Sequence, residues 1–187
     1  MRIISGNLKG KKIFTPTDNL TRPLKDLTKE SIFNIIQHSN LLNIKLENSK
    51  ILDLFSGVGS FGIECLSRGA LSVTFLECYK EVLTILKKNI HNLKLEKYSK
   101  IIEKNIFKEN TLDLLDGKFE VIFLDPPYKE KKLLDLLDKI IQLKLLKKNS
   151  IIIIHRHKDE KDVLPINFNI IIEKKYGVSK IIFGNIV

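Results

Sequence analysis

Residues 119–128 read Phe-Glu-Val-Ile-Phe-Leu-Asp-Pro-Pro-Tyr, an apolar run closed by an acid, two prolines and an aromatic. Consecutive prolines fix φ and carry no amide donor, so the run cannot continue as a sheet and its carbonyls stand as rigid acceptors. Asp125 with the Pro126 carbonyl can accept the two N–H hydrogens of an exocyclic aromatic amine. That would draw the nitrogen toward tetrahedral geometry and localise a lone pair otherwise delocalised into the ring. Tyr128 can stack on the base that carries the amine. Once alkylated, the nitrogen must lose a proton, to Asp125 or to water. Asp125, Pro126, Pro127 and Tyr128 are thus candidate catalytic residues for methylation of a planar amine. The competing reading is a rigid strand-ending turn, which Asp and Pro commonly form. These four residues do not choose guanine over adenine, or RNA over DNA.

A second cluster lies upstream. Residues 51–55, Ile-Leu-Asp-Leu-Phe, run into Ser56-Gly57-Val58-Gly59-Ser60-Phe61-Gly62, a G-x-G-x-x-G placed after a strand and before a helix. The first glycine permits the tight turn, the second lets a ligand approach the backbone, and the third lets helix and strand pack closely. Glu77 follows Gly57 by twenty positions, where a carboxylate can accept from both hydroxyls of a ribose or, alternatively, only favour a helix start. A dinucleotide and S-adenosylmethionine both fit so far. Asp53 separates them, because an acid ahead of the glycines would repel a pyrophosphate but suits the amino group of a methionine moiety. Asn105 can accept from an adenine amine beside the Ile106 amide, or serve only as a turn residue. The candidate cofactor residues are Asp53, Phe55, Ser56, Gly57, Gly59, Gly62, Glu77, Asn105 and Ile106.

Both clusters need a scaffold that puts strand ends together. Residues 51–55, 72–76, 100–103, 121–124 and 151–154 read as near-continuous apolar strands, with amphipathic helices at 60–68, 80–93 and 131–143 and a weaker helix at 110–115. That alternation implies a parallel sheet covered on both faces. Strands at 169–174 and 180–183 are joined too closely for a parallel crossover and must pair antiparallel. The expected fold is α/β and Rossmann-like, the class I methyltransferase arrangement of a mostly parallel seven-stranded sheet ending in an antiparallel hairpin. Ahead of it, residues 2–4 and 11–15 read as a hairpin outside the main fold, and apolar spacing predicts a helix over 26–38. Residues 1–40 are accordingly read as an RNA-binding extension and 41–187 as the methyltransferase domain.

Lys and Arg number 32 against 22 Asp and Glu, a formal charge of +10 that favours a polyanionic partner, the alternative being a solvated lysine-rich surface. Residues 1–30 hold seven basic side chains against three acidic ones, so Arg2, Lys9, Lys11, Lys12 and Arg22 are the candidate RNA contacts. The start has no signal-peptide form, and no stretch approaches the ~18 apolar residues of a membrane span, which suggests a cytoplasmic protein. Cys65 and Cys78 lack Cys or His partners at metal spacing, so no metal is expected and both read as buried packing residues. Nothing signals an oligomer, and a monomer is expected.

The chain resembles, end to end, the bacterial small-subunit ribosomal RNA guanine-N2 methyltransferases of the RsmD type. The resemblance is carried by Met1-Arg2-Ile3-Ile4-Ser5-Gly6, Lys9 to Lys12, Arg22-Pro23, Glu30 to Asn34, the glycine loop, Leu66-Ser67-Arg68-Gly69-Ala70, Asp125 to Tyr128 and Tyr176-Gly177. It implies methylation of one guanine in 16S rRNA, within the small subunit or an assembly intermediate, with S-adenosylmethionine converted to S-adenosylhomocysteine. Leu24, Lys25 and Leu27 depart from the family's usual Thr and Arg residues. Asn105 replaces a usual Asp, and His155-Arg156-His157-Lys158 stand where Glu is common. The two histidines read as phosphate contacts or, more simply, the stretch as a solvated strand end. Rival readings are an adenine-N6 methyltransferase, an NAD-dependent oxidoreductase and a non-catalytic ribosome-assembly protein.

Overall fold

A computed structural model describes residues 1–16, 24, 26–108 and 110–187. Arg22 and Lys25 lie outside the described residues. After helix α1 (Asp26–His38) come β1 (Lys50–Leu54), α2 (Ser60–Ser67), β2 (Ser72–Glu77), α3 (Lys80–Asn92), β3 (Ser99–Glu103), β4 (Phe119–Leu124), α4 (Leu133–Gln142), β5 (Leu146–His157), β6 (Phe168–Tyr176) and β7 (Ser179–Ile186). The weak helix expected at 110–115 is one 3-10 turn, Leu112–Leu114.

The strands form one seven-stranded sheet in the order β3-β2-β1-β4-β5-β7-β6. The first five run parallel, and β7 pairs antiparallel with both β5 and β6, as the short connection required. Alternate strand residues face opposite layers. Ile51, Phe75, Val121, Phe123, Ile153 and Phe183 pack with α1, α2 and α3, and Leu52, Leu54, Ile122, Leu124 and Ile152 pack with α4. Stacked rings tie α1 to the sheet, with Phe33 on Phe61 at 5.2 Å and Phe61 on Phe123 at 4.0 Å. Chain order reverses between β1, which leads to β2, and β4. Such switch points open a crevice at the carboxyl ends of the strands.

The N-terminal hairpin differs from expectation in two ways. Its pairing is limited to one bridge, Arg2 with Lys12, flanked by Ile3 N donating to Lys11 O and Ile13 N donating to Met1 O, both at 3.0 Å, while further amides of both arms donate to the main fold. Ile4 N and Ser5 N donate to the Glu64 carboxylate at 2.8 and 2.9 Å, and Phe14 N donates to Asn89 Oδ1 at 2.8 Å. The hairpin also does not stand outside the main fold, since Ile3 and Ile13 are buried in the core layer that holds α1, α2 and α3. Lys29 completes the joint: fully buried, it lies 3.6 Å from Glu64 and donates to the Arg2 carbonyl at 3.1 Å. Burial lowers its ammonium from the ordinary value, and Glu64 opposes that shift.

Candidate active site

Continuing β1 past Leu54 into α2 forces an abrupt turn, with Phe55 at φ 58° and Gly57 at φ 55°. Two carboxylates set its shape. Asp53 Oδ2 accepts from Gly62 N at 3.0 Å, and Glu77 Oε2 accepts from Gly57 N at 2.8 Å. Glu77 Oε1 also accepts from Cys78 N and Tyr79 N at 2.8 and 2.9 Å, which secures the entry to α3. A Cβ on Gly57 would meet nothing within 4 Å among the described residues, so this turn is open to them on its outer side. At Gly62 a Cβ would lie 2.4 Å from the Phe75 ring, the close packing expected of the third glycine.

Gly59 requires a correction. A Cβ there would lie 2.5 Å from Leu86 Cδ1, inside the layer of α3, and φ is 82°, so packing and a left-handed backbone each require glycine here, two reasons beyond the approach of a ligand. Gly57 is the glycine with open space.

The turn after β4 is held differently. Register pairs Leu54 with Leu124 and Leu124 with Ile154, so the ends of β1, β4 and β5 lie side by side. His155 and Arg156 continue β5 past that line, 6% and 0% exposed. The expectation of phosphate contacts or a solvated strand end is overturned for both, because the strand extends three residues further than its apolar run and remains under cover. Arg156 donates through Nη1 to the Pro127 carbonyl at 3.0 Å and through Nη2 to the Glu130 carbonyl at 2.9 Å. Its Nε meets both oxygens of Asp162 at 3.0 Å. Pro127 O receives Glu130 N as well, at 2.9 Å. Of the two proline carbonyls read as free acceptors, Pro127 O is therefore occupied, whereas Pro126 O accepts from no donor among the described residues. His155 Nδ1 sits 2.7 Å from Asp125 Oδ1, and its Nε2 sits 2.9 Å from Ser179 Oγ. Tyr128 lies edge-on to the rings of His155 and His157 at 6.3 and 5.2 Å.

One cavity of about 700 Å³ joins the two turns. Asp53, Phe55, Ser56, Gly57, Glu77, Asn105 and Ile106 line it, as do Asp125, Pro126, Pro127 and Tyr128. Gly59 and Gly62 do not. Arg2, Lys9, Lys11 and Lys12 are exposed on the hairpin, away from the lining. The Asn105 side chain accepts from Phe107 N at 2.9 Å, the turn geometry held open as the alternative for it. Leu24 joins the lining although it departs from the family pattern, while Leu27 is exposed. Cys65 is buried as expected, but Cys78 is exposed and lines the cavity because it follows the end of β2 rather than lying within the strand.

His155, Arg156, Asp162 and Ser179 are the contributors that sequence reasoning missed. One signal was present: two ionisable residues directly extend the apolar run 151–154 at the carboxyl end of a central parallel strand, where ligands of such sheets bind.

The sheet order with its terminal antiparallel hairpin and the cavity at the switch point define a class I methyltransferase fold. More narrowly, the chain belongs to the RsmD family, whose model, described as Conserved hypothetical protein 95, matches residues 1–185. Ribosomal RNA small subunit methyltransferase D of Buchnera aphidicola subsp. Acyrthosiphon pisum is 38% identical over 176 residues, covering 90% of this chain and 84% of the relative. The protein of the same name from Haemophilus influenzae is 33% identical, over 95% of this chain and 90% of that one. A solved methylase structure from Haemophilus influenzae shares 31% identity at a TM-score of 0.74, covering 100% of this chain and 98% of its own. An Escherichia coli methyltransferase structure, 24% identical with a TM-score of 0.81 over 100% and 97% of the two chains, shares the fold.

Fold and family together make the chain a methyltransferase and imply S-adenosylmethionine as methyl donor. The cavity fits such a ligand. Within a chain of formal charge +10, its wall gathers Asp53, Glu77, Asp125 and Glu130 against Lys104, a field suited to a cation. Asp53 is 1% exposed, and burial holds its carboxyl well above the ordinary range, with Asp125 and Glu77 pushing the same way against the Gly62 amide. A bound cation would relieve that. The buried Ser56 hydroxyl, also in the wall, has no hydrogen-bond partner among the described residues and is available to a ligand.

Proposed function

We propose that this chain methylates the exocyclic N2 of a guanine in 16S rRNA, acting as a single chain on the small ribosomal subunit or an assembly intermediate. One observation carries the reading: Asp125, Tyr128 and Pro126, whose carbonyl meets no donor among the described residues, close the same cavity that the glycine loop opens. The relatives named as small-subunit rRNA methyltransferases supply the choice of substrate.

Asp53 would hold the amino group of S-adenosylmethionine, with Ser56 beside it, Glu77 the ribose, and Asn105 with the Ile106 amide the adenine. When bound, the cofactor supplies a methyl group made electrophilic by its sulfonium. Asp125 and the Pro126 carbonyl accept the two amine hydrogens of the base and localise the nitrogen lone pair. Tyr128 stacks on the ring and excludes water. After transfer the Asp125 carboxylate takes the proton that the nitrogen sheds. Outside the cavity, exposed Arg2, Lys9, Lys11 and Lys12, with Arg22, would meet the phosphate backbone.

The test is nucleoside analysis after incubating the protein with small subunits, or partly assembled particles, and methyl-tritiated cofactor. N2-methylguanosine is expected. Label in adenosine would overturn the guanine assignment, and the absence of calorimetric cofactor binding would overturn the enzymatic one. Replacing Lys11 and Lys12 together by Ala should flatten the salt dependence of RNA binding. An unchanged slope removes the hairpin from the RNA interface.

A further inference from the structure

We propose that His155 is a positioning residue for methyl transfer, holding one oxygen of Asp125 so that only the other is presented to the amine. The proposal rests on the reading that Asp125 accepts the amine hydrogens.

A carboxylate offers acceptors only, so the 2.7 Å contact requires a proton on His155 Nδ1, donated to Asp125 Oδ1. With that proton in place on a neutral ring, Nε2 is an acceptor, and the Ser179 hydroxyl 2.9 Å away donates to it. In that state the hydrogen bonds run in one direction, from Ser179 through the ring to Asp125. Both ring nitrogens are engaged, and the His155 side chain is 8% exposed against 23% for Asp125. The inner end of this chain is therefore covered and its outer end faces the cavity.

An aspartate attached to a turn can rotate about its Cβ–Cγ bond and offer either oxygen. Pinning Oδ1 fixes the plane of the carboxylate and leaves Oδ2 in one place, on a residue that lines the same cavity as Pro126. Two acceptors must meet two hydrogens on one nitrogen, so the rotation that His155 prevents is the one that would misalign them. The ring also backs Tyr128 edge-on, so a single side chain braces both the acceptor of the amine and the stacking partner of its base. His155 is placed to do this by register: β5 lies beside β4, and the pairing of Leu124 with Ile154 puts the next residue of each strand in reach of the other.

The experiment compares wild type with His155→Leu, His155→Asn and Asp125→Ala, measuring methyl transfer to small-subunit particles and calorimetric affinity for S-adenosylmethionine. His155→Leu should lower kcat by about ten- to a hundredfold, as loss of a group that orients a reacting side chain does, with cofactor affinity within about twofold. His155→Asn, whose amide can still donate to Oδ1, should recover most of that loss, which a purely packing role would not allow. Proton NMR of the wild type should show a low-field Nδ1–H resonance from the His155 ring, absent in His155→Leu and displaced in Asp125→Ala. Wild-type kcat in His155→Leu, equal loss in the Leu and Asn variants, or no such resonance in the wild type would each overturn the proposal. The last measurement decides it even if the Leu variant fails to fold. Turnover retained by Asp125→Ala would instead overturn the role of Asp125, with the His155 resonance still present.

Discussion

The two turns that close the cavity begin on neighbouring strands, yet they are built by opposite means. At the glycine loop the supports are acids acting on backbone amides, Asp53 on Gly62 and Glu77 on Gly57, across sequence separations of 9 and 20. At the Asp-Pro-Pro-Tyr turn the supports are cationic and aromatic side chains acting on carbonyls and a carboxylate. Arg156 reaches Pro127 across 29 residues, and His155 reaches Asp125 across 30. The difference follows from what each turn leaves unpaired. A glycine loop leading into a helix exposes amide donors, which need acceptors. A double-proline turn has no such donors and exposes carbonyls, which need donors. One turn is therefore secured from within its own strand–loop–strand unit, and the other only after β5 has docked.

The sharpest way to break this contrast is to remove the distant support. Arg156→Met leaves Asp162, 8% exposed, without its buried partner and frees two carbonyls, so unfolding by urea should show a loss of about 3–5 kcal/mol. Glu77→Gln keeps one acceptor oxygen but turns an amide NH2 toward either the Gly57 amide or those of Cys78 and Tyr79, and should cost less, about 1–3 kcal/mol. Equal losses would mean that the two turns are not supported differently. Next in size, Asp125→Ala should lower kcat roughly a thousandfold while cofactor affinity stays within about tenfold, or ~1.4 kcal/mol. A large affinity loss would move Asp125 to the cofactor side of the comparison. Gly62→Ala drives a methyl into the Phe75 ring and should cost about 1–3 kcal/mol of stability in thermal melts, with kcat per folded molecule unchanged.

The smallest effect concerns Asp53 and has a defined sign with pH. Its folded-state pKa lies well above the ordinary value of 3.8, so the native chain binds more protons than the unfolded chain above that value. Its contribution therefore falls as pH rises from there through the folded pKa. Asp53→Asn should melt a few degrees above wild type near neutrality, since ~1 kcal/mol moves Tm by about 2–4 °C at this size, and the gap should close in acid. A gap independent of pH would show that burial of this acid is not what the glycine loop tolerates.

Much of the fold was legible because its signals are local. The helix over 26–38 and the seven strands followed from apolar periodicity, and the terminal antiparallel pair followed from a connection too short to cross over. Where reading failed, a competing partner came from elsewhere in the chain. Residues 2–4 and 11–15 have the pattern of a free-standing ladder, but only Arg2 and Lys12 form a bridge, and Ile4, Ser5 and Phe14 donate to Glu64 and Asn89 of the main fold. Gly59 has the spacing of a ligand contact, but its Cβ direction is filled by Leu86 of α3. The strand ending at Ile154 looked complete because hydrophobicity stops there, although the backbone pairing with β7 continues to His157.

The sequence alone determined the alternation of strands and helices, the glycine loop after the first strand, and an acid with two prolines after the fourth. Each depends on residue type at short spacing, and φ limits, missing donors and periodicity act without knowledge of neighbours. Only the tertiary structure decided that Pro127 O is occupied while Pro126 O meets no donor among the described residues, that His155 takes one oxygen of Asp125, and that Arg156 lies buried behind the turn. Those outcomes depend on which strand lies beside β4 and in what register. That register is fixed by burying two apolar faces of a sheet at once, and no local pattern records it.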